Sequence, residues 1–287
     1  MADRIQVLTI IQRYTGAGAA VADALSSRRP IPDQMRRAIE EVCDEAVKRK
    51  VGILVDAEQQ LVQDGIEESA MALMRKYNRG GHATVYNTYQ AYLKSIPDVL
   101  GKHLRQARDD GFTLGVKLVR GAYISSEPRH TINNTKEGTD RSYDAITRVL
   151  LSGTPQALGN SLPSKLPNVE LFLGTHNTES TLTAHHMQLA RADEGLPLTP
   201  VRYGQLLGMA DEVSFTLIQV KSGISGPRFA SPEVYKCLSW GTLGDCVSYL
   251  IRRAAENRDA VTRNKGEFIA LKKELLRRLR AMIGWKE

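Results

Sequence analysis

The sequence predicts an α/β fold in which parallel strands alternate with crossover helices. Three recurring features carry this reading: short β-branched runs, a Gly, Asn or charged loop after each, and an amphipathic stretch after each loop. Strands are expected at 5–12 (IQVLTIIQ), 51–56 (VGILVD), 82–87 (HATVYN), 113–119 (TLGVKLV), 169–174 (VELFLG), 199–203, 214–220 and 234–239. The first helix is expected at 32–49, where Met35, Ile39, Val42, Cys43 and Ala46 recur at helical spacing. Further helices are expected at 66–77, about 98–109, from near Ser142, at 179–191, about 205–210 and 242–256, with a surface loop at 151–168. A closed (β/α)8 barrel and a doubly wound open sheet both fit this count. In either, ligands gather at the carboxyl ends of the strands.

The bulk properties agree with a folded domain. The 287 residues match the roughly 250-residue size of a barrel. A hydrophobic content of 42%, a charged content of 25% and a mean hydropathy of -0.30 exclude a disordered or fibrous chain. No apolar run approaches the ~18 residues of a membrane span. The net charge of +7 suits an anionic cofactor, substrate or surface without choosing among them. Five Phe and two Trp offer little stacking surface, which argues against a nucleic-acid groove. Cys43, Cys237 and Cys246 are too widely spaced for a disulfide framework and point to a reducing compartment. The first twenty residues lack the pattern of a secretory signal and read as a short strand and a glycine turn.

Residues 1–262 are expected to form the barrel and 263–287 a basic amphipathic helix. In the latter, Leu271, Leu275, Leu276, Leu279 and Met282 alternate with Lys and Arg. The simpler expectation is a terminal helix packed on the barrel, and the alternative is contact with a membrane surface.

The candidate functional residues lie at strand ends. Asp56 closes a strand, where a carboxylate orients a polar ligand, acts as a base or simply caps a helix. In KLVRGAY, period two puts Lys117 and Val119 on one face and Arg120 on the other, and Gly121 permits a tight turn or close approach. An inward lysine needs a negative partner, either a phosphate or reduced flavin ring or a structural carboxylate from Glu58 or Asp56. Thr175, His176 and Asn177 offer a hydroxyl, an imidazole and an amide directly after VELFLG. Tyr249, Arg252 and Arg253 fall at i, i+3 and i+4 on a helix, with Glu256 four residues after Arg252. Two such guanidinium groups recognise a carboxylate or phosphate by bidentate hydrogen bonds, although a solvated basic face is the plainer alternative. No metal-ligand spacing, Gly-x-Gly-x-x-Gly fingerprint or P-loop is present, so a metal centre, a nicotinamide site and an ATPase are disfavoured.

Six segments together resemble the proline dehydrogenase family, of eukaryotic and fungal type. They are DAEQ at 56–59, NTYQAYL at 87–93, KLVRGAY at 117–123, THN at 175–177, GQLLGM at 204–209 and YLIRRAAEN at 249–257. The resemblance implies a distorted (β/α)8 barrel with FAD at the strand ends. It also implies oxidation of L-proline to 1-pyrroline-5-carboxylate by hydride transfer to the flavin, and a quinone of the mitochondrial inner membrane as electron acceptor. By the same resemblance Arg252 and Arg253 bind the substrate carboxylate, Glu256 steadies them, and Tyr249, Leu206 and Cys237 wall the substrate ring. Asp56 lies near the substrate amine, and Asn87, Lys117, Val119, Gly121, Tyr123, Thr175, His176 and Asn177 lie at or beside flavin contacts.

Three departures stand out. Lys117 replaces the arginine of bacterial members, keeping the charge but not the planar fork. Cys237 replaces a substrate-packing tyrosine. Arg13-Tyr14-Thr15-Gly16 replaces a lysine-containing segment of the first strand, and the family's upstream helices and targeting peptide are expected to be missing from this chain. The alternatives are a catalytically silent or truncated barrel and a lyase or aldolase using Lys117 as a Schiff-base amine.

Overall fold

A computed structural model describes residues 9–124, 126–154, 162–219, 232–256 and 265–282. Seven parallel strands pair in chain order and curl into a partial barrel. They are β1 (Thr9–Gln12), β2 (Gly52–Val55), β3 (Val85–Gln90), β4 (Leu114–Val119), β5 (Val169–Gly174), β6 (Val201–Leu206) and β7 (Glu233–Cys237). The helices are α1 (Ala19–Ser26), α2 (Asp33–Arg49), α3 (Gln60–Tyr77), α4 (Ile96–Asp110), α5 (Lys136–Ser152), α6 (Thr178–Asp193), α7 (Asp211–Gln219), α8 (Leu243–Glu256) and α9 (Lys265–Met282).

Strand alternation builds two apolar layers. Ile53 and Val55 of β2, Val85 and Tyr89 of β3, Val116 and Leu118 of β4, and Leu171 and Leu173 of β5 face the helices in one continuous core. The inner face carries a smaller cluster of Leu54, Tyr86 and Phe172, with Tyr235 against it. Helix ends obey local chemistry. The Thr135 hydroxyl accepts from Gly138 N at the start of α5, Asn177 Oδ1 accepts from Ser180 N at the start of α6, and Gly111 ends α4 at φ +67°.

Three expectations are corrected. Residues 214–220, read as a strand, belong largely to α7. Val213, Ser214 and Leu217 are buried at helical spacing while Phe215 and Ile218 stay exposed, so one-sided burial overrides the apolar run. Residues 205–210, read as a helix, instead complete β6 and turn through Gly208 at φ +75°. The count among the described residues is therefore seven strands rather than about eight. Finally, Leu271, Leu275, Leu276 and Leu279 of α9 are 44% to 70% exposed rather than packed on the barrel. Glu274 pairs with Arg277 and Arg278 of the same helix. Of the loop expected at 151–168, residues 155–161 lie outside the described residues, and Leu162 is buried.

Behind β3 lies a buried polar chain. Gln63 of α3 accepts from Glu58 N at 2.9 Å and donates to Glu67 at 3.2 Å. Glu67 stands 3.8 Å from His103 of α4, whose other ring nitrogen meets the Tyr89 hydroxyl at 2.9 Å. Burial raises the Glu67 carboxyl to about 7, and burial with Lys102 nearby lowers His103 to about 4. Between these values both groups are neutral, so the contact is not an ion pair there.

Because Glu67 is raised in the fold, the stability it contributes is complete below its ordinary pKa of 4.5 and is lost as pH rises through about 7. His103 acts oppositely: its contribution is present above 6.5 and is lost as pH falls toward 4. Glu67→Gln is therefore expected to stabilise the fold at about pH 8, by on the order of 2 kcal/mol, and to give no gain near pH 5. Thermal unfolding at the two pH values checks this, and a pH-independent difference would count against it.

Candidate active site

Two cations and two carboxylates meet where β1, β2 and β4 end. Lys117 points to the inner face, opposite Thr88 of β3 and Phe172 of β5, and its Nζ donates to Asp56 Oδ1 at 2.5 Å. The Lys117 side chain is 11% exposed and that of Asp56 27%, so the pair is largely but not wholly desolvated. Glu58 is buried and accepts from Thr15 N at 3.0 Å, from the Thr15 hydroxyl, and from Arg13 Nη2 at 3.4 Å. The same Arg13 nitrogen donates to the Tyr123 hydroxyl at 3.0 Å. Burial opposes the charge on Arg13, but Tyr123, Glu58 and Asp56 prevail and hold its pKa above the ordinary value. Thus the competing reading of Lys117, an ion pair with a strand-end carboxylate, describes its contact with Asp56.

The turn after β4 depends on glycine. Gly121 adopts φ +155°, and a Cβ there would stand 2.5 Å from the Tyr92 ring. Ala122 N then donates to Gln90 Oε1 at 2.9 Å. Gln90 is absent from the candidates read from sequence, yet it is buried at the end of β3, paired with Val119, and its Nε2 has no partner. Inner-face alternation from Tyr86 and Thr88 is the signal that would have found it. Asn87, in contrast, shares the helix-facing side with Val85 and Tyr89; its amide lies beside the Tyr89 hydroxyl without a well-formed hydrogen bond.

At the end of β5, the Thr175 hydroxyl accepts from Arg120 and from Asn177 N, and His176 Nε2 accepts from Leu206 N at 3.1 Å. Asn177 caps α6, which gives it a structural duty as well. Between them, inner-face side chains close over glycine, Val119 over Gly174 and Phe172 over Gly204. Gly174 pairs with Gly204, and a Cβ at Gly204 would meet the Phe172 ring at 2.4 Å. Leu206 pairs with Cys237, both half-buried. Tyr249 lies half-buried on α8, and Arg252, Arg253 and Glu256 fall on the same helix, but their side chains lie outside the described residues. Among the described residues no cluster of three His, Cys, Asp or Glu forms a metal site, and no helix is long and apolar enough to cross a membrane.

The Lys117–Asp56 pair makes its own prediction. Lys117→Met strands a carboxylate and is expected to destabilise the fold by on the order of 2 kcal/mol, below the fully buried range because Asp56 keeps some solvent. Adding Asp56→Asn should recover part of that loss, and denaturant unfolding of the four proteins measures the coupling. Simple additivity would show that the two groups do not interact.

The chain has counterparts among known proteins. Residues 3–265 match the family model described as Proline dehydrogenase. The chain is 31% identical over 247 residues to the probable mitochondrial proline dehydrogenase of Schizosaccharomyces pombe, covering 84% of this chain and 49% of that protein. It is 36% identical over 242 residues to the hydroxyproline dehydrogenase of Mus musculus, covering 83% and 50%. The chain thus spans about half the length of the curated relatives it matches. Among solved structures, proline utilization A from Bdellovibrio bacteriovorus, inactivated by N-propargylglycine, superposes with a TM-score of 0.64 at 19% identity, covering 86% of this chain and 24% of that one. That likeness supports the barrel-type fold, and the family match with the curated relatives settles descent: the chain belongs to the proline dehydrogenase family.

Proposed function

We propose that this chain is an FAD-dependent oxidoreductase that oxidises L-proline to 1-pyrroline-5-carboxylate and delivers the electrons to a quinone. The observation that carries the proposal is the strand-end arrangement itself. An inward Lys117 balanced by Asp56 stands on the same inner face as Gln90, whose buried Nε2 has no partner. A buried amide donor with no protein partner suits a carbonyl or ring nitrogen, and the ammonium of Lys117 suits a ring that gains negative charge. The residues present therefore fit a flavin. FAD, when bound, supplies the acceptor for the hydride on the ring carbon next to the substrate nitrogen.

In this reading Lys117, Val119, Gly121, Tyr123, Thr175, His176 and Asn177 hold the cofactor. Gln90 takes the place expected of Asn87, because Asn87 faces the helices. Arg252 and Arg253 bind the substrate carboxylate, Glu256 steadies them, Tyr249, Leu206 and Cys237 wall the ring, and Asp56 orients the amine. A lyase using Lys117 as a Schiff-base amine is the weaker reading, since Asp56 engages that ammonium rather than an apolar pocket holding it neutral. The names of relatives from Schizosaccharomyces pombe and Caenorhabditis elegans support a mitochondrial setting. The inner-membrane surface is the place where a quinone would be met.

A hydroxylated ring is the second substrate to consider. Relatives named hydroxyproline dehydrogenase match at up to 36% identity, and Cys237 opposite Leu206 makes a smaller wall than tyrosine would.

The deciding experiment is the visible absorption spectrum of the purified chain, with FAD, before and after anaerobic L-proline. A flavin spectrum that bleaches on adding proline is expected; folded protein that stays colourless would leave a catalytically silent barrel as the better account. Cys237→Tyr is further expected to lower KM for proline by roughly fivefold by filling the wall, and steady-state kinetics with proline and hydroxyproline tests this. A raised KM for proline would argue against the filled-wall account.

A further inference from the structure

β4 and the residue that follows it send two cations to opposite sides of the sheet. Lys117 turns inward to Asp56, while Arg120, three residues later, has the other parity. The Arg120 guanidinium joins three elements. Its Nε donates to Asp140 of α5 at 2.7 Å, Nη2 to Ser180 of α6 at 2.9 Å, and Nη1 to the Thr175 hydroxyl at 2.5 Å. Its Cζ lies 4.4 Å from the centroid of the buried Tyr143 ring. Burial opposes ionisation of Asp140, yet hydrogen bonds from Lys136 and Arg120 prevail and keep its carboxyl below the usual range.

The consequence falls on Thr175. A hydroxyl has one hydrogen to donate and two lone pairs with which to accept. Thr175 Oγ accepts from Arg120 and, at 3.1 Å, from the backbone N–H of Asn177, so both lone pairs are used and only the O–H remains. Ser180 presents the contrast: its hydroxyl accepts from Arg120 but spends its hydrogen on Asp144 at 2.6 Å. The Thr175 backbone is also fixed, donating to Gly204 O at 3.2 Å.

We propose that Arg120 is a positioning residue that fixes Thr175 as a one-way hydrogen-bond donor toward an acceptor oxygen of the cofactor at the strand ends. The inference rests on the flavin reading above and deepens it. Arg120 makes no contact with the cofactor in this arrangement and acts through the Thr175 hydroxyl alone. Its bonds to Asp140 and Ser180 are what hold the guanidinium where it fills one lone pair of Thr175.

The test is an FAD titration of the full chain, followed by flavin fluorescence, for wild type, Arg120→Lys, Thr175→Val, Thr175→Ser and the double variant Arg120→Lys/Thr175→Val. Arg120→Lys keeps a charge for Asp140 but loses the fork, and Thr175→Val removes the donor; each is expected to weaken FAD binding about tenfold. The double variant should bind no more weakly than Thr175→Val, and Thr175→Ser should stay within about twofold of wild type. Additive losses would overturn the proposal, because Arg120 would then act by its own contact or by loosening the fold. So would an undiminished Thr175→Val, an outcome that stands even if the Arg120 variants fail to fold. If wild type binds no FAD, the flavin reading falls and takes this proposal with it; binding with additive losses sinks this proposal alone.

Discussion

The inner face of a curled parallel sheet is a place where every polar side chain must find a partner across the curl, because neither helices nor bulk water reach it freely. The two ends of this sheet meet that constraint in different ways. At the amino ends, Glu170 accepts from Tyr86 at 2.6 Å, from Arg202 at 2.9 Å and from Ala83 N at 3.1 Å, and Arg202 reaches on to Glu233 at 2.8 Å. Burial opposes ionisation of Glu170, but Tyr86, Arg202 and Ala83 N prevail and keep it lowered. That cluster closes one end, with Arg202 shared between two carboxylates and both Glu170 oxygens engaged.

The carboxyl ends balance charge without exhausting the hydrogen bonds. Lys117 with Asp56 and Arg13 with Glu58 cancel formally, yet Asp56 keeps part of its exposure and Gln90 Nε2 finds no partner. The paired glycines of β5 and β6 leave room that the Val119 and Phe172 side chains occupy. One end is therefore a plug, while the other has electrostatic order and unspent hydrogen-bonding capacity, which is what a ligand site requires.

Much of this arrangement is legible in the sequence, and for definite reasons. Period two alone sets Lys117 and Arg120 on opposite faces of β4, and VGILVD and VELFLG mark strands whose ends carry Asp56 and Thr175. Short-range rules fail where tertiary burial decides. VSFTLIQ has strand-like content, yet only one side of it is covered, so it winds into α7. Motif membership alone does not reveal facing: Asn87 and Gln90 sit in one motif, and it is strand parity, fixed by the register of β3, that sets Asn87 on the side of Tyr89 while Gln90 meets the β4 turn. Nor does the sequence announce that Arg13 reaches both Glu58 and Tyr123, since those residues lie 45 and 110 positions away.

The division of labour along β4 follows from that same alternation. Near the carboxyl ends, a sheet residue on the inner face meets the mouth, and one on the outer face meets the helices and the loops that frame it. KLVR supplies one cation to each. Lys117 sets the charge of the mouth, and Arg120 fastens α5, α6 and the end of β5 into one frame around it. Exchanging the two roles would require a shift of one residue in the β3–β4–β5 register, which would also turn Val116 and Leu118 out of the helix-facing core. The packing that stabilises the barrel wall is thus the same constraint that fixes which cation faces the site.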